Sequence, residues 1–99
     1  MNWPPAHWVA RQEFDQIVDY LRDNVSKGLA KRFTLNAMET VKRARQFPHS
    51  GSPIGLETRR MQIEPFSYDL VYLPEVDGDI YVVAFPHHRQ RPGYWRNRL

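Results

Sequence analysis

The spacing of apolar residues changes once along this chain, near Pro48, and that change restricts the fold more than any other feature. Before it, apolar residues recur every three or four positions, as in Phe14, Ile17 and Leu21, which is typical of helices with one buried face. After it, apolar and polar residues alternate, which is typical of β-strands. The sequence therefore predicts one domain, over residues 1–99, with a helical half followed by a sheet.

Two helices are predicted in the first half. One spans roughly Ala6–Asp23, after a proline pair that favours a helix start. The other spans about Lys27–Gln46, with Ser26 as its N-cap and Pro48 just beyond its end. Two one-sided helices in succession favour an antiparallel hairpin. The stretch from His49 to Glu57 is rich in Ser, Gly and Pro and is predicted to be a loop.

Three strands are predicted in the second half, over Arg59–Glu64, Ser67–Leu73 and Asp79–Phe85. Asp77-Gly78 marks the hairpin turn between the last two. The third is apolar on both faces and is predicted to be central and buried. Met1–Trp3 offers at most one further short strand. Alternation assigns the residues of the third strand to two faces: Ile80, Val82 and Ala84 to one, and Tyr81, Val83 and Phe85 to the other.

These elements predict an α+β fold. The N-terminal helical hairpin packs on one face of a three- to four-stranded antiparallel sheet, because that arrangement buries the apolar side of each layer. The other sheet face is expected to stay open to solvent beside the C-terminal segment. Function is expected on that open face.

Several classes of protein are excluded or disfavoured by composition. The chain has no cysteine, which excludes disulfides and thiolate metal sites. Its four histidines lack the spacing of metal ligands, so neither metal nor cofactor is predicted. No apolar run approaches the ~20 residues of a membrane span, and the first residues lack the pattern of a secretory signal. A cytoplasmic location without membrane contact is expected.

Charge is distributed unevenly. The segment HHRQRPGYWRNRL, His87–Leu99, holds four arginines and no acid, whereas all eleven acidic residues precede it in a chain of net charge +3. Arginine presents a planar fork of donors that suits phosphate and carboxylate groups. The segment is interpreted either as a solvated basic terminus or as a surface that recognises a polyanion or an acidic protein segment.

The same segment contains groups that RNA cleavage would need. Such cleavage requires a base for the 2′-hydroxyl, an acid for the leaving oxygen and cations for the phosphate. Alternation puts Arg59 and Arg60 on opposite sheet faces, so only one of them can join this group. Trp95 has two interpretations, a ring that stacks on a base or a ring that folds back onto the core. The candidates for acid, base and phosphate contacts are His87, His88, Tyr94, Arg60, Arg89 and Arg91.

The chain resembles the RelE/ParE superfamily of type II toxin–antitoxin toxins along nearly its whole length. ARQEFDQIVDYL resembles the first helix of that superfamily, and RRMQIEPFSYDLVY resembles its strand hairpin. The terminal segment resembles its C-terminal motif and is closest to the plasmid-stabilisation subgroup. The positions that carry this last similarity are His88, Arg91, Pro92, Tyr94, Trp95 and Arg98, with His87 offset by one.

The resemblance implies a growth-inhibiting toxin neutralised by a cognate acidic antitoxin. RelE-like members cut messenger RNA on the ribosome, whereas ParE-like members bind DNA gyrase without catalysis. By position, the resemblance assigns catalysis to His88, Arg91, Tyr94 and Arg60. Binding of nucleic acid or another target is expected at Arg89, Trp95, Arg96 and Arg98, because arginines and an aromatic ring in one segment suit phosphates and bases. The stretch His49–Thr58 departs from RelE because it contains no lysine.

The sequence-based hypothesis leans towards ribosome-associated mRNA cleavage by a metal-independent endoribonuclease. The alternatives are a non-enzymatic gyrase inhibitor and a degenerate toxin that only binds its antitoxin. A homodimer and a heterotetramer with antitoxin both remain open.

Overall fold

Two helices followed by a four-stranded sheet make up the protein in the computed structural model, which describes residues 3–75 and 77–99. A short 3₁₀ helix follows the sheet. The elements are α1 (Trp8–Asn24), α2 (Lys27–Gln46), β1 (Ser52–Gly55), β2 (Thr58–Gln62), β3 (Asp69–Pro74), β4 (Ile80–Ala84) and the 3₁₀ helix (Arg96–Arg98).

Side-chain caps fix where both helices begin. The Oγ of Ser26 accepts a hydrogen bond from the Leu29 N–H at 3.0 Å, so α2 has the predicted limits. The ring of His7 caps α1 in the same way, with its Nδ1 3.2 Å from the Val9 nitrogen. The first helix therefore begins at Trp8, two residues later than predicted.

The sheet has the order β1-β2-β3-β4, and every neighbouring pair is antiparallel. The helical hairpin covers one face, where Phe14 and Phe33 pack with Leu70, Tyr72 and Val82 in the main core. The predicted α+β architecture is confirmed. The helices bury their apolar stripes and the sheet buries one full face, as a two-layer domain requires.

β1 was predicted to be part of a loop, and this prediction is wrong. Ser52 and Pro53 pair with Arg60 and Arg59 of β2. A Ser-Pro pair has little strand propensity, and proline is tolerated in a sheet mainly at an edge, where its missing N–H costs no ladder bond. The composition of this strand therefore hid it.

β4 lies at the end of the strand order and is not central as predicted. Its free edge is instead covered by the residues that precede α1. The His7 N–H donates to the Val82 oxygen at 2.9 Å, and the Val82 N–H donates to the Pro5 oxygen at 2.8 Å. Of the short strand considered at Met1–Trp3, the first two residues lie outside the described part.

A β-bulge changes the predicted faces of β4. Val71 pairs with Ala84 while Tyr72 pairs with Val82, which leaves Val83 as an extra residue in the ladder. One extra residue reverses the alternation beyond it. Ala84 consequently packs on the outer sheet face, and Phe85 joins the core under the helices.

The outer sheet face was predicted to be open, but the C-terminal segment covers much of it. Trp95 is only 4% exposed and packs with Val71, Val83 and Ala84 in a second core. These strand residues are apolar, so leaving them in water would cost free energy that Trp95 recovers by covering them. The segment after β4 is thus part of the fold.

Candidate functional site

A histidine, an aspartate and an arginine meet beside β3 on the outer sheet face. The Nε2 of His88 donates to Asp69 Oδ1 at 2.9 Å, and Arg60 Nη1 lies 3.5 Å from Asp69 Oδ2. Asp69 is 7% exposed, whereas His88 and Arg60 are exposed. The buried carboxylate therefore orients two solvent-facing side chains.

Backbone pairing brings these residues together. Beyond β4 the chain continues alongside residues 67–69, with the Asp69 N–H donating to Pro86 and the His88 N–H donating to Ser67, each at 2.9 Å. Tyr68 and His87 form an isolated bridge between those bonds. His88 is thereby placed next to Asp69, 19 positions earlier in the chain.

A cleft of about 530 Å³ opens beside this group. Arg91 and Arg96 line it, and both are exposed. Neither forms an ion pair with any carboxylate in residues 3–75 and 77–99. Apolar and polar residues share the remaining surface of the cleft: Ile54, Val71, Pro86, Pro92, Gly93 and Trp95, together with Gln62, Gln90 and His87.

His87 organises the loop that borders the cleft. Its ring Nδ1 accepts a hydrogen bond from the backbone N–H of Arg89 at 3.0 Å, and the backbone N–H of His87 donates to Gln90 Oε1 at 2.7 Å. Its ring meets that of Tyr68 edge-on, with centroids 4.9 Å apart. The His87 and His88 rings lie 6.5 Å apart, so two imidazoles border one cleft.

Tyr94 does not line this cleft and lies in a separate network on α1. Its hydroxyl donates to Glu13 Oε2 at 2.6 Å. Arg98 donates to both oxygens of the same carboxylate, at 2.9 and 3.1 Å, and the Phe85 N–H donates at 3.1 Å. The structure thus separates Tyr94 and Arg98 from His88, Arg91 and Arg60, with which the sequence grouped them.

Electrostatics in this network fix the charge of each member. Burial favours a neutral Glu13, but the donors Arg98, Tyr94 and the Phe85 N–H outweigh it and lower the Glu13 pKa below 4.5. Burial and the adjacent carboxylate both raise the Tyr94 pKa. The Tyr94 hydroxyl consequently stays protonated at neutral pH and acts as a donor.

Two further sequence candidates, Trp95 and Arg89, are not presented on the cleft surface, and neither is Arg59. Trp95 is the buried floor of the cleft, the second of its two interpretations, so its ring is not presented for stacking. Arg89 is exposed on the bordering loop and does not line the cleft. Arg59 faces another part of the surface, where its Nη1 donates to the oxygens of His49 and Gly51 at 2.8 Å.

Sequence reasoning missed Asp69 and Glu13. Asp69 carried one usable signal, an acid on the same strand face as apolar Val71 and Leu73. A charge at such a position usually has a buried partner. Glu13 carried no comparable signal, because its partners lie 72 to 85 positions further along the chain.

Within residues 3–75 and 77–99, no three His, Cys, Asp or Glu side chains are arranged to hold a metal ion. Neither described α-helix has the length and apolarity needed to cross a bilayer. The cleft presents the exposed arginines Arg60, Arg91 and Arg96 and the imidazoles of His87 and His88.

Comparisons with known proteins agree with this architecture. The family model for the ParE toxin of the type II toxin–antitoxin system parDE matches residues 7–92. A solved chain of the chromosomal ParDE toxin–antitoxin system from P. aeruginosa superposes with a TM-score of 0.71 at 16% identity, covering 88% of this chain and 96% of that one. No curated protein matches. Because this family model matches most of the chain, the chain belongs to the ParE toxin family of type II toxin–antitoxin systems.

Proposed function

We propose that this toxin inhibits growth by binding DNA gyrase, without cutting RNA. One observation carries the choice between the two activities: Tyr94, one of the candidate acids, donates its hydroxyl to Glu13 and does not line the cleft that contains His88, so the cleft lacks a group that the ribonuclease hypothesis counted on. The raised pKa of Tyr94 is consistent with this arrangement, because the hydroxyl keeps its proton and goes on donating to Glu13. Membership of the ParE family supports the same choice, since gyrase is the target that the sequence resemblance implied for ParE-like members.

Binding is assigned to the cleft and its two arginines. Arg91 and Arg96 are exposed and have no carboxylate partner in the described part of the chain, so an external anion can reach both. The neighbouring Asp69 is already paired with His88 and Arg60. Charge is therefore available at the cleft for recognition of a partner.

The toxin is expected to be neutralised by an acidic antitoxin. Its helices expose apolar side chains to solvent, including Trp8, Tyr20 and Leu35. Such residues suit a partner helix or extended segment. The outer side of α2 adds the exposed cations Lys31, Arg32 and Lys42, which complement an acidic segment.

One observation favours ribonuclease activity as a second candidate function. Two imidazoles, His87 and His88, border a cleft that also contains arginines. A pair of imidazoles can act as acid and base near neutral pH. This activity would have to draw both its acid and its base from His87 and His88, because Tyr94 is held by Glu13 away from the cleft.

The deciding experiment is brief induction of the toxin without antitoxin, with plasmid supercoiling and messenger RNA integrity followed in the same cells. We expect supercoiling to fall while messages stay intact. Purified gyrase should lose supercoiling activity with the wild-type toxin, retain it with the Arg91→Gln/Arg96→Gln variant, and lose it with the control Arg22→Gln, whose arginine is exposed and paired with Asp19 and Asp23. Cut messages with unchanged supercoiling would reverse the proposal and favour the ribonuclease.

A further inference from the structure

The cleft combines a positive rim with an apolar floor. Arg91 and Arg96 lie at its surface, and beneath them are Val71 and Trp95, with half-buried Ile54 to one side. A partner group that fits must therefore offer an anion and an apolar side chain close together. Recognition pockets commonly take this form, with apolar walls and a few polar groups that fix orientation.

Asp69, the one carboxylate among the described residues that line the cleft, does not oppose an incoming anion. Asp69 accepts from His88 at 2.9 Å and lies 3.5 Å from Arg60, and it is almost wholly buried. Its charge is thus offset before a ligand arrives. Arg91 and Arg96 remain, each able to donate two parallel hydrogen bonds to a carboxylate.

Three aromatic residues near the cleft are already engaged, which disfavours nucleic acid as the occupant. Trp95 is buried, Tyr94 is held by Glu13, and His87 packs edge-on against Tyr68. Single-stranded nucleic acids are usually bound by exposed rings on which bases stack. An apolar floor beneath a charged rim suits a peptide better.

The cleft also lies apart from the face suited to an antitoxin. It is built on the outer side of the sheet, where Val71 and Trp95 form the second core. The exposed apolar side chains of Trp8, Tyr20 and Leu35 belong to the helices on the opposite side. Two separate surfaces can serve two separate partners.

We propose that the cleft binds a short acidic peptide segment of the target protein, with one carboxylate held between Arg91 and Arg96 and an adjacent apolar side chain packed against Ile54, Val71 and Trp95. The inference rests on the proposed function, because it specifies what the toxin recognises on its target. It assigns specificity to a linear acidic–apolar element.

The first test measures binding directly, without gyrase. The probe is a short fluorescein-labelled peptide of alternating Glu and Leu, compared by anisotropy with the same peptide carrying Gln for Glu. We expect the acidic peptide to bind at least about tenfold more tightly, because its carboxylates form charge-assisted bonds. Arg91→Gln and Arg96→Gln should each weaken binding about tenfold, whereas the control Arg22→Gln, at an exposed arginine already paired with Asp19 and Asp23, should not.

Further arms separate the alternatives. A single-stranded oligonucleotide of equal length should not displace the peptide; displacement would overturn the peptide assignment in favour of a phosphate ligand. Equal binding of the Glu and Gln peptides would also overturn it. Circular dichroism of each variant shows whether the fold is retained, and Arg91→Lys, which keeps the charge, should recover part of the affinity if the fold is intact.

The second test connects the cleft to the target. Excess acidic peptide should relieve inhibition of purified gyrase by the toxin, and the Gln peptide should not. Peptide binding without relief would show that the cleft does not contact the target and would overturn the inference while leaving gyrase inhibition intact. A toxin that binds peptide but never inhibits gyrase would instead contradict the proposed function.

Discussion

Arg98 Nη1 lies 2.9 Å from Glu13 Oε1, although the two residues are 85 positions apart. Their side chains are only 10% and 15% exposed. Tyr94 and the Phe85 N–H donate to the same carboxylate, and Arg98 also donates to the Val83 oxygen at 3.1 Å. The pair therefore fastens the C-terminal segment to both α1 and the sheet.

Glu13→Gln should lower the free energy of unfolding by about 3 kcal/mol, because it leaves the Arg98 guanidinium buried without its counter-charge. Urea denaturation of the purified variant measures the change. Asp15→Asn is the matched control, since Asp15 is an exposed acid on the same helix, and it should change stability by less than about 0.5 kcal/mol. An unaltered midpoint for the Glu13 variant would contradict the structural role given to this pair.

Acid should destabilise the protein in the range where Glu13 takes up a proton. Its folded-state pKa lies below 4.5, so the unfolded chain binds the proton more readily. The stabilisation is complete above about pH 4.5 and is lost as the pH falls through the folded value. Urea titrations at several pH values should show this loss, and Glu13→Gln should show a shallower one.

Asp79 should contribute to the same acid range. Burial raises the Asp79 pKa, but the Ile80 N–H and the Arg45 side chain lower it by more, so the net shift is downwards. Arg45 Nε and Nη2 each lie 3.0 Å from a carboxylate oxygen of Asp79. Asp79→Asn should therefore remove part of the acid sensitivity that persists in Glu13→Gln. If the double variant keeps the full wild-type pH dependence, neither carboxylate is its source.

Tyr94→Phe should lower stability by about 1.5 kcal/mol, because a hydrogen bond to a charged carboxylate is lost. Growth inhibition should survive at a temperature where the variant is folded, since the hydroxyl does not face the cleft. Colony counts after induction, paired with a thermal melt, check both expectations. A folded but harmless variant would return Tyr94 to the list of functional groups.

Gly93→Ala should affect both stability and target binding. Gly93 has φ +77°, and an added Cβ would lie 2.8 Å from the Arg96 Cζ. The backbone strain costs about 1–2 kcal/mol, and the Arg96 side chain must move out of its place beside the cleft. Gyrase inhibition should weaken in parallel with a lower melting temperature.

Gly28→Ala provides the control for that substitution. Its added Cβ would meet only Ser26 Oγ, at 4.0 Å, and alanine favours the helix. Stability should stay equal or rise by up to about 1 kcal/mol, with inhibition unchanged. Loss of inhibition in this variant as well would mean that Gly93→Ala reports a general sensitivity of the toxin.

Local signals in the sequence were enough for the elements whose limits depend on neighbouring residues. Ser26 and Pro48 act within one turn of α2, and its predicted limits are confirmed. The prediction of a loop at β1 was wrong because the composition of this segment disfavours a strand. Its pairing with β2 supplies the stability that its own residues do not. The predicted sheet faces of Ala84 and Phe85 were wrong because one bulge residue reverses the alternation, and the sequence gives no sign of the bulge.

The site was harder to predict than the fold, since it depends on contacts across the chain. The basic C-terminal segment was recognised as one unit, yet the structure divides it. Arg91 and Arg96 line the cleft, whereas Tyr94 and Arg98 turn towards Glu13. Tyrosine and arginine suit both roles chemically, and only the position of α1 decides between them.

Trp95 covers Val71, Val83 and Ala84, and it comes after every strand in the order of synthesis. A growing chain therefore carries an unfinished sheet with one bare apolar side until Arg98 has been made. Trp95 and Arg96, which complete the cleft, are also among the last residues made. Closing the second core and completing the cleft therefore depend on the same short segment, so a chain that stops at β4 has neither.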